Sequence, residues 1–222
     1  MNLLIFEYAV MHLSWLAWII AKPFGNGLLI GIGGNGRHSL TKLASFINQA
    51  QIYKIELSKA YSKNEWTEDL KGLYKTLGLD NKKITFMFTD SDLKEMSFME
   101  DINNILNTGE VPHLFTKEEE EDIALEMERS SEKKIKNGLL EFLSWCWSNL
   151  HMMILMSPAG DMLWLLIRNY PSLVNCTTID WFMQWPKEAL EKVGSFFLAS
   201  TDFDESTRNK ILDVFVESHL SA

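Results

Sequence analysis

Apolar residues in this chain follow two rhythms. Short runs at residues 28–32, 84–88 and 150–156 are continuous and of strand length, as in strands covered on both faces of a parallel sheet. A more mixed β-type run at 52–57 and a last one near residue 177 bring the strand candidates to five. Between them apolar positions recur at helical spacing, over about residues 39–49, 65–76, 97–106, 139–149, 161–169, 186–198 and 205–219. Residues 117–121 open a further, acidic helix, and 130–138 reads as a charged surface connection. Strands alternating with helices predict an α/β fold built on a parallel sheet.

The chain begins with another helical stretch, 2–21, apolar from Leu3 to Ala21 except at Glu7, His12 and Ser14. Its length approaches that of a membrane span. It lacks a basic flank, and an internal glutamate and histidine would each cost a few kcal/mol at mid-bilayer. A helix buried in the fold or covered by a partner is the expectation, with membrane attachment through this segment as the competing reading. The breaker-rich turn 22–27 then releases the chain into the first strand.

That strand runs directly into Gly31-Ile32-Gly33-Gly34-Asn35-Gly36-Arg37-His38-Ser39, and a helix follows. Glycines at a strand-to-helix turn let main-chain N–H groups converge on phosphate at the positive end of the helix dipole. The cadence is that of a phosphate-binding loop, but Arg37 stands in the lysine position and His38 where a magnesium-binding hydroxyl belongs. Ser39 comes one residue late, about a quarter turn around the helix, so magnesium is expected to be held loosely or not at all. ATP or ADP is the expected ligand. Gly31, Gly33 and Gly36 also fit a dinucleotide fingerprint with Glu56 in the ribose position, and a plain glycine-rich connector is the blandest alternative. Asp90 follows the run 84–88, so its carboxylate emerges at the carboxyl end of a central strand. It is the candidate catalytic acid and the candidate metal ligand, through water, with a capping role as the alternative. Asp92, Glu95, Glu100 and Asp101 read as a solvated helix face. Histidines 12, 38, 113, 151 and 219 show no ligand spacing.

Composition narrows the partners. Thirty acidic residues against 21 basic give a net charge of -9, without a basic cluster to offset it, which argues against nucleic acid. Cys146 and Cys176 form neither a disulfide framework nor a zinc pattern, so a reducing, cytoplasmic setting is expected. The triplet Asn175-Cys176-Thr177 matches a glycosylation acceptor, but no signal-peptide pattern accompanies it.

Several stretches together resemble one family. They are Phe6-Glu7-Tyr8-Ala9-Val10, the loop 31–39 continuing through Ala44, Asn64-Glu65-Trp66, the run from Phe98 to Phe115, Asn149-Leu150-His151, Met156-Ser157-Pro158, and the run from Pro171 to Phe182. This constellation, spread over the whole chain, is similar to the fourth AAA+ module of axonemal dynein heavy chains. The resemblance implies a P-loop AAA+ fold with a five-stranded parallel sheet, in which 1–185 form the large nucleotide-binding subdomain and 186–222 begin a small helical one. It implies an ATP/ADP site of regulatory character, in a motor of cilia and the axonemal cytoskeleton. The implied partners are neighbouring AAA+ modules and dynein intermediate and light chains, with microtubules engaged only indirectly. The implied roles place the cradle on residues 31–39, the magnesium aspartate on Thr89, the catalytic glutamate on Asp90, the first sensor on Ser157, and the arginine finger on Cys176. With so many positions altered, weak or absent hydrolysis is expected, against the alternative of a working ATPase using Arg37 and Asp90. Trp15, Trp18, Trp145 and Trp164 replace basic residues of relatives and predict exposed apolar patches.

Overall fold

The structure, a computed structural model, describes residues 7–56, 61–130, 137–199, 201 and 203–220. The order of elements is α1 (Glu7–Ala21), β1 (Gly27–Gly31), α2 (Arg37–Ile47), β2 (Gln51–Tyr53), α3 (Lys63–Gly78), β3 (Ile84–Thr89), α4 (Met96–Thr108), α5 (Lys117–Ser130), α6 (Gly138–Asn149), β4 (Leu150–Met156), α7 (Met162–Asn169), α8 (Ser172–Asn175), β5 (Thr178–Phe182), α9 (Lys187–Leu198) and α10 (Glu205–Leu220). The five strands form one sheet in the order β2-β3-β4-β1-β5, and every pairing is parallel.

The continuous apolar runs become strands because both sheet faces are covered. Every residue of β1, β3 and β4 is buried. Alternate side chains go to opposite layers: Leu28, Ile30, Phe86, Phe88, Met152 and Ile154 meet α3, α4 and α6, whereas Leu29, Met87, Met153 and Leu155 meet α1 and α2. Trp66 anchors the first layer, stacked on Phe98 at 4.4 Å and donating its indole N–H to Asp101 at 2.8 Å. A capping box between Ser62 and Glu65 starts α3.

The mixed run 52–57 pairs only as far as Tyr53, and residue 57 lies outside the described residues. β2 is an edge strand, and its alternation reflects cover on one side only. Helix α1 is described from Glu7, so residues 2–6 of the expected helix lie outside the described set, as do 131–136 of the expected connection. Among the described residues no helix is long and apolar enough to cross a membrane. The apolar face of α1 instead buries Leu16, Ile19 and Ile20 against α2 and the sheet.

His12 explains why α1 tolerates a polar residue on that face. Its Nδ1 lies 2.8 Å from Asp180 Oδ2 on β5, and its ring stacks on Phe182 at 4.2 Å. Trp15 and Trp18 stack on each other at 5.2 Å on the outer face, with Lys22 Nζ 3.6 Å from the Trp18 ring, and both are exposed, as is Trp164. Trp145 departs from the expected exposure: it packs against the core and donates to Glu141 at 3.2 Å.

Candidate functional site

The carboxyl ends of β1, β3 and β4 converge on the turn between β1 and α2, and the parallel registers set that convergence. Gly31 closes β1 where a Cβ would stand 2.8 Å from Phe182 Cβ, so only glycine lets β5 approach. Gly34 and Gly36 both take φ 83, the left-handed conformation that glycine adopts without steric cost and that anion-binding turns use. Gly36 is also the N-cap of α2 and supplies no side chain there. Gly33 and Gly34 are exposed, so the outer face of the turn is open.

Two side chains hold this turn from below. Asn35 is 1% exposed, and its Nδ2 donates to Phe182 O at 2.9 Å and Met183 O at 3.1 Å, tying the loop to the end of β5. Its side chain is therefore an anchor for the turn. Arg37 turns inward: Nη1 donates to Met156 O at 2.6 Å and to Leu29 O at 3.5 Å, and Nη2 donates to Ile32 O at 3.2 Å. Burial lowers the guanidinium from its ordinary range, and the Asp90 carboxylate partly offsets that. His38 follows on the surface. Partial burial first, then the Lys54, Arg37 and Lys42 charges, hold its imidazole below the ordinary range, with Asp92 opposing. It is neutral near pH 7 and offers no hydroxyl. Ser39, half-buried on the first turn of α2, lies one position further on.

Asp90 and Ser157, distant in sequence, are brought together: Asp90 Oδ2 accepts from the Ser157 N–H at 3.2 Å. Asp90 Oδ1 accepts from Ser91 N–H at 2.9 Å, so both oxygens of this exposed carboxylate are engaged. The Thr89 hydroxyl donates to Asp92 Oδ2 at 2.6 Å and meets Ser91 Oγ at 2.7 Å. Asp92 itself is 5% exposed and caps the turn after β3, which corrects its reading as part of a solvated face. The correction arises because a carboxylate three residues after a strand-end threonine closes a capping box. Asp101 likewise serves Trp66. Cys176, to which the resemblance assigns the finger position, is half-buried, and its thiol donates to Asn107 Oδ1 at 3.4 Å.

The residues therefore fit a phosphate chain better than a metal. The open glycine turn offers amides, whereas Thr89 is already bonded, His38 lacks an oxygen, and Asp90 is a single carboxylate. Among the described residues no group of three or more His, Cys, Asp or Glu side chains could hold a metal ion.

Sequence reasoning missed the wall beside the loop. Trp185, after β5, donates its indole N–H to Asn35 O at 3.2 Å. His219 on α10 stands beside it, with ring centroids 6.3 Å apart, and its Cε1 lies 3.7 Å from where a Gly34 Cβ would be. These residues, with Leu190, Val193 and Phe215 of α9 and α10, enclose a largely apolar cleft of about 420 Å³ next to Gly34. The signal available was weak: a lone tryptophan before a proline, and a histidine near the end of an amphipathic helix.

Comparison with known proteins identifies the family. Dynein axonemal heavy chain 6 of Homo sapiens is 42% identical over 227 residues, covering 99% of this chain and 6% of that protein. The dynein-1-alpha heavy chain of the flagellar inner arm I1 complex of Chlamydomonas reinhardtii is 41% identical over 229 residues, covering 100% of this chain and 5% of that one. Human dynein axonemal heavy chain 1 is 40% identical over 216 residues, 95% of this chain and 5% of its own length. The chain thus spans about one-twentieth of these relatives. In fold it is similar to Hsp104 in a closed-state cryo-EM reconstruction with ATPγS and casein, at TM-score 0.51 and 15% identity over 95% of this chain and 38% of that one. The family described as P-loop containing dynein motor region D4 matches residues 1–222, and the chain, an AAA+ P-loop fold with the five-stranded parallel sheet, belongs to that family of dynein heavy-chain motor regions.

Proposed function

We propose that this chain is a nucleotide-holding AAA+ module of an axonemal-type dynein heavy chain, taking ATP or ADP on the loop 31–39 and hydrolysing it slowly or not at all. The observation that carries the reading is the exposed Gly33-Gly34 turn at the start of α2, with left-handed glycines that point amides at an incoming phosphate. The apolar cleft beside Gly34 offers cover for the base, with Trp185 and His219 as its walls. In this reading 1–185 form the large subdomain and 186–222 the start of the small one.

Slow hydrolysis follows from what the site lacks. The loop carries Arg37 where a lysine is expected, the magnesium-aspartate position is a threonine bonded to Asp92, and the finger position is a cysteine. Loss of an arginine finger alone costs roughly 10³- to 10⁵-fold in rate. The competing reading is a working ATPase, and it draws on the Asp90–Ser157 contact, which sets an acid beside the sensor position.

The partners in this reading are the adjoining AAA+ modules of the heavy chain, with intermediate and light chains further off, microtubules engaged indirectly, and the ciliary axoneme as location. The exposed Met11, Trp15 and Trp18 on the outer face of α1 suit an inter-module contact. Titrating the purified chain with a fluorescent adenine nucleotide, with and without Mg²⁺, tests the core of it. Saturable binding that changes little with the metal is expected, and absence of binding refutes the reading. Phosphate release at ordinary ATPase rates that vanishes in Asp90→Asn would favour the working enzyme instead.

A further inference from the structure

The cation in the phosphate loop is bonded to main chain on three sides. Met156 O and Leu29 O belong to adjacent strands, whose register sets Ile30 beside Met156, and Ile32 O belongs to the loop itself. One planar fork thus spans the ends of β4 and β1 and the first residue of the turn. A lysine ammonium also has three donors, but they radiate from one atom on a flexible stem and lack the wide, preorganised reach of the planar fork. The residue that follows β4 is held in turn, since Ser157 N–H donates to Asp90.

We propose that Arg37 is a built-in tie that fixes the phosphate loop to β4 without any ligand, and that the site for this reason does not favour a nucleoside triphosphate over a diphosphate. The inference rests on the nucleotide reading above and deepens it. The amides of the glycine turn serve the phosphate nearest α2, which ADP and ATP share. Recognition of one more phosphate needs a further donor, and the two side chains at the ends of the loop and of β3 that would supply one are committed. Arg37 faces the carbonyls, and the Thr89 hydroxyl is spent on Asp92. The exposed Asp90 carboxylate adds repulsion for a terminal phosphate.

The experiment compares the purified chain with Arg37→Lys and Arg37→Met in two measurements. Calorimetric titration with ADP and with ATP, both free of Mg²⁺, should give the unaltered chain an ATP affinity no greater than its ADP affinity. Arg37→Lys should shift the ratio toward ATP by about tenfold or more, the weight of one charge-assisted hydrogen bond. An unaltered chain that prefers ATP tenfold, or a ratio unmoved in Arg37→Lys, overturns the selectivity. Hydrogen exchange without nucleotide, read on peptides covering 28–36 and 153–158, should quicken in both variants while β3 stays protected as a folding control. Equal exchange in all three proteins overturns the tie. If none of them binds nucleotide while the exchange difference is present, the nucleotide reading falls with the selectivity and the tie stands.

Discussion

The two ends of the β1–β4 pair are finished in opposite ways. At the amino end, Asn26 is 7% exposed, and its Oδ1 accepts from Met152 N–H at 2.8 Å. Beside it the fully buried His151 reaches Gly25 O from Nδ1 at 2.9 Å. At the carboxyl end Arg37 is tied to main chain from below, while Gly33 and Gly34 above it remain exposed. One end is sealed by side chains out of reach of water, and the other is braced and left open. The difference teaches where this fold concentrates its stability and where it tolerates exchange of ligands. Damage at the sealed end should appear as lost stability, and damage at the open end chiefly as altered binding.

The largest expected effect is acidification acting on His151. Burial, with a smaller contribution from the Lys83 charge, lowers its pKa to about 4, and the Gly25 carbonyl only partly opposes this. The unfolded chain takes up a proton near the ordinary histidine pKa of roughly 6.5, and the folded chain does so only near the lowered value. Between these points the unfolded state binds more protons, so stability is fully present above the unfolded pKa and falls as pH falls. The loss should reach about 3 kcal/mol between pH 7 and pH 4. Urea midpoints at a series of pH values check it, with His151→Gln as the comparison. The variant should be less stable at pH 7 and should show a correspondingly shallower decline on acidification. A decline as steep as that of the unaltered chain would mean that the sealed end is not its source.

Next in size is Asn26→Ala, which leaves the Met152 N–H without its acceptor inside the sheet. An unsatisfied buried donor costs about 2 kcal/mol. The urea midpoint should fall accordingly, while nucleotide affinity stays within about twofold, since the sheet end that carries the loop is untouched. An equal loss of affinity and stability would show that the two ends are coupled and the contrast drawn here is too sharp.

How much of this was legible in the sequence depends on how local each feature is. Strands β3 and β4 were legible because a strand covered on both faces must be apolar throughout, and residues 84–88 and 150–156 are. The loop was legible because its four glycines fall within the six residues 31–36, a spacing visible in the sequence alone. The AAA+ fold, the parallel sheet and the family were likewise readable from motifs spread along the chain. What escaped lies in pairings across the fold. The direction of the Arg37 fork depends on Met156 O, the His12–Asp180 pair joins α1 to the edge strand, and Trp185 finds its acceptor only once β5 is docked. Asp92 was misplaced for a different reason. Its role is local, a capping box on Thr89, but a run of acidic residues before a helix also describes a solvated face.

The smallest stability effects should come from the open end, where two neighbouring glycines separate backbone strain from space. Gly34 adopts φ 83, so Gly34→Ala forces an L side chain into the left-handed region at about 1 kcal/mol. Gly33 is not in that region, and a Cβ there meets no atom within 4 Å. Gly33→Ala should therefore leave the urea midpoint within about 0.5 kcal/mol of the unaltered chain. Its added methyl nevertheless projects from the exposed turn into the space that the phosphates are proposed to fill. Nucleotide affinity should fall at least several-fold in a protein whose stability has hardly changed. A Gly33→Ala chain that binds as well as its parent would remove the phosphate from this turn and leave the open end without its proposed ligand.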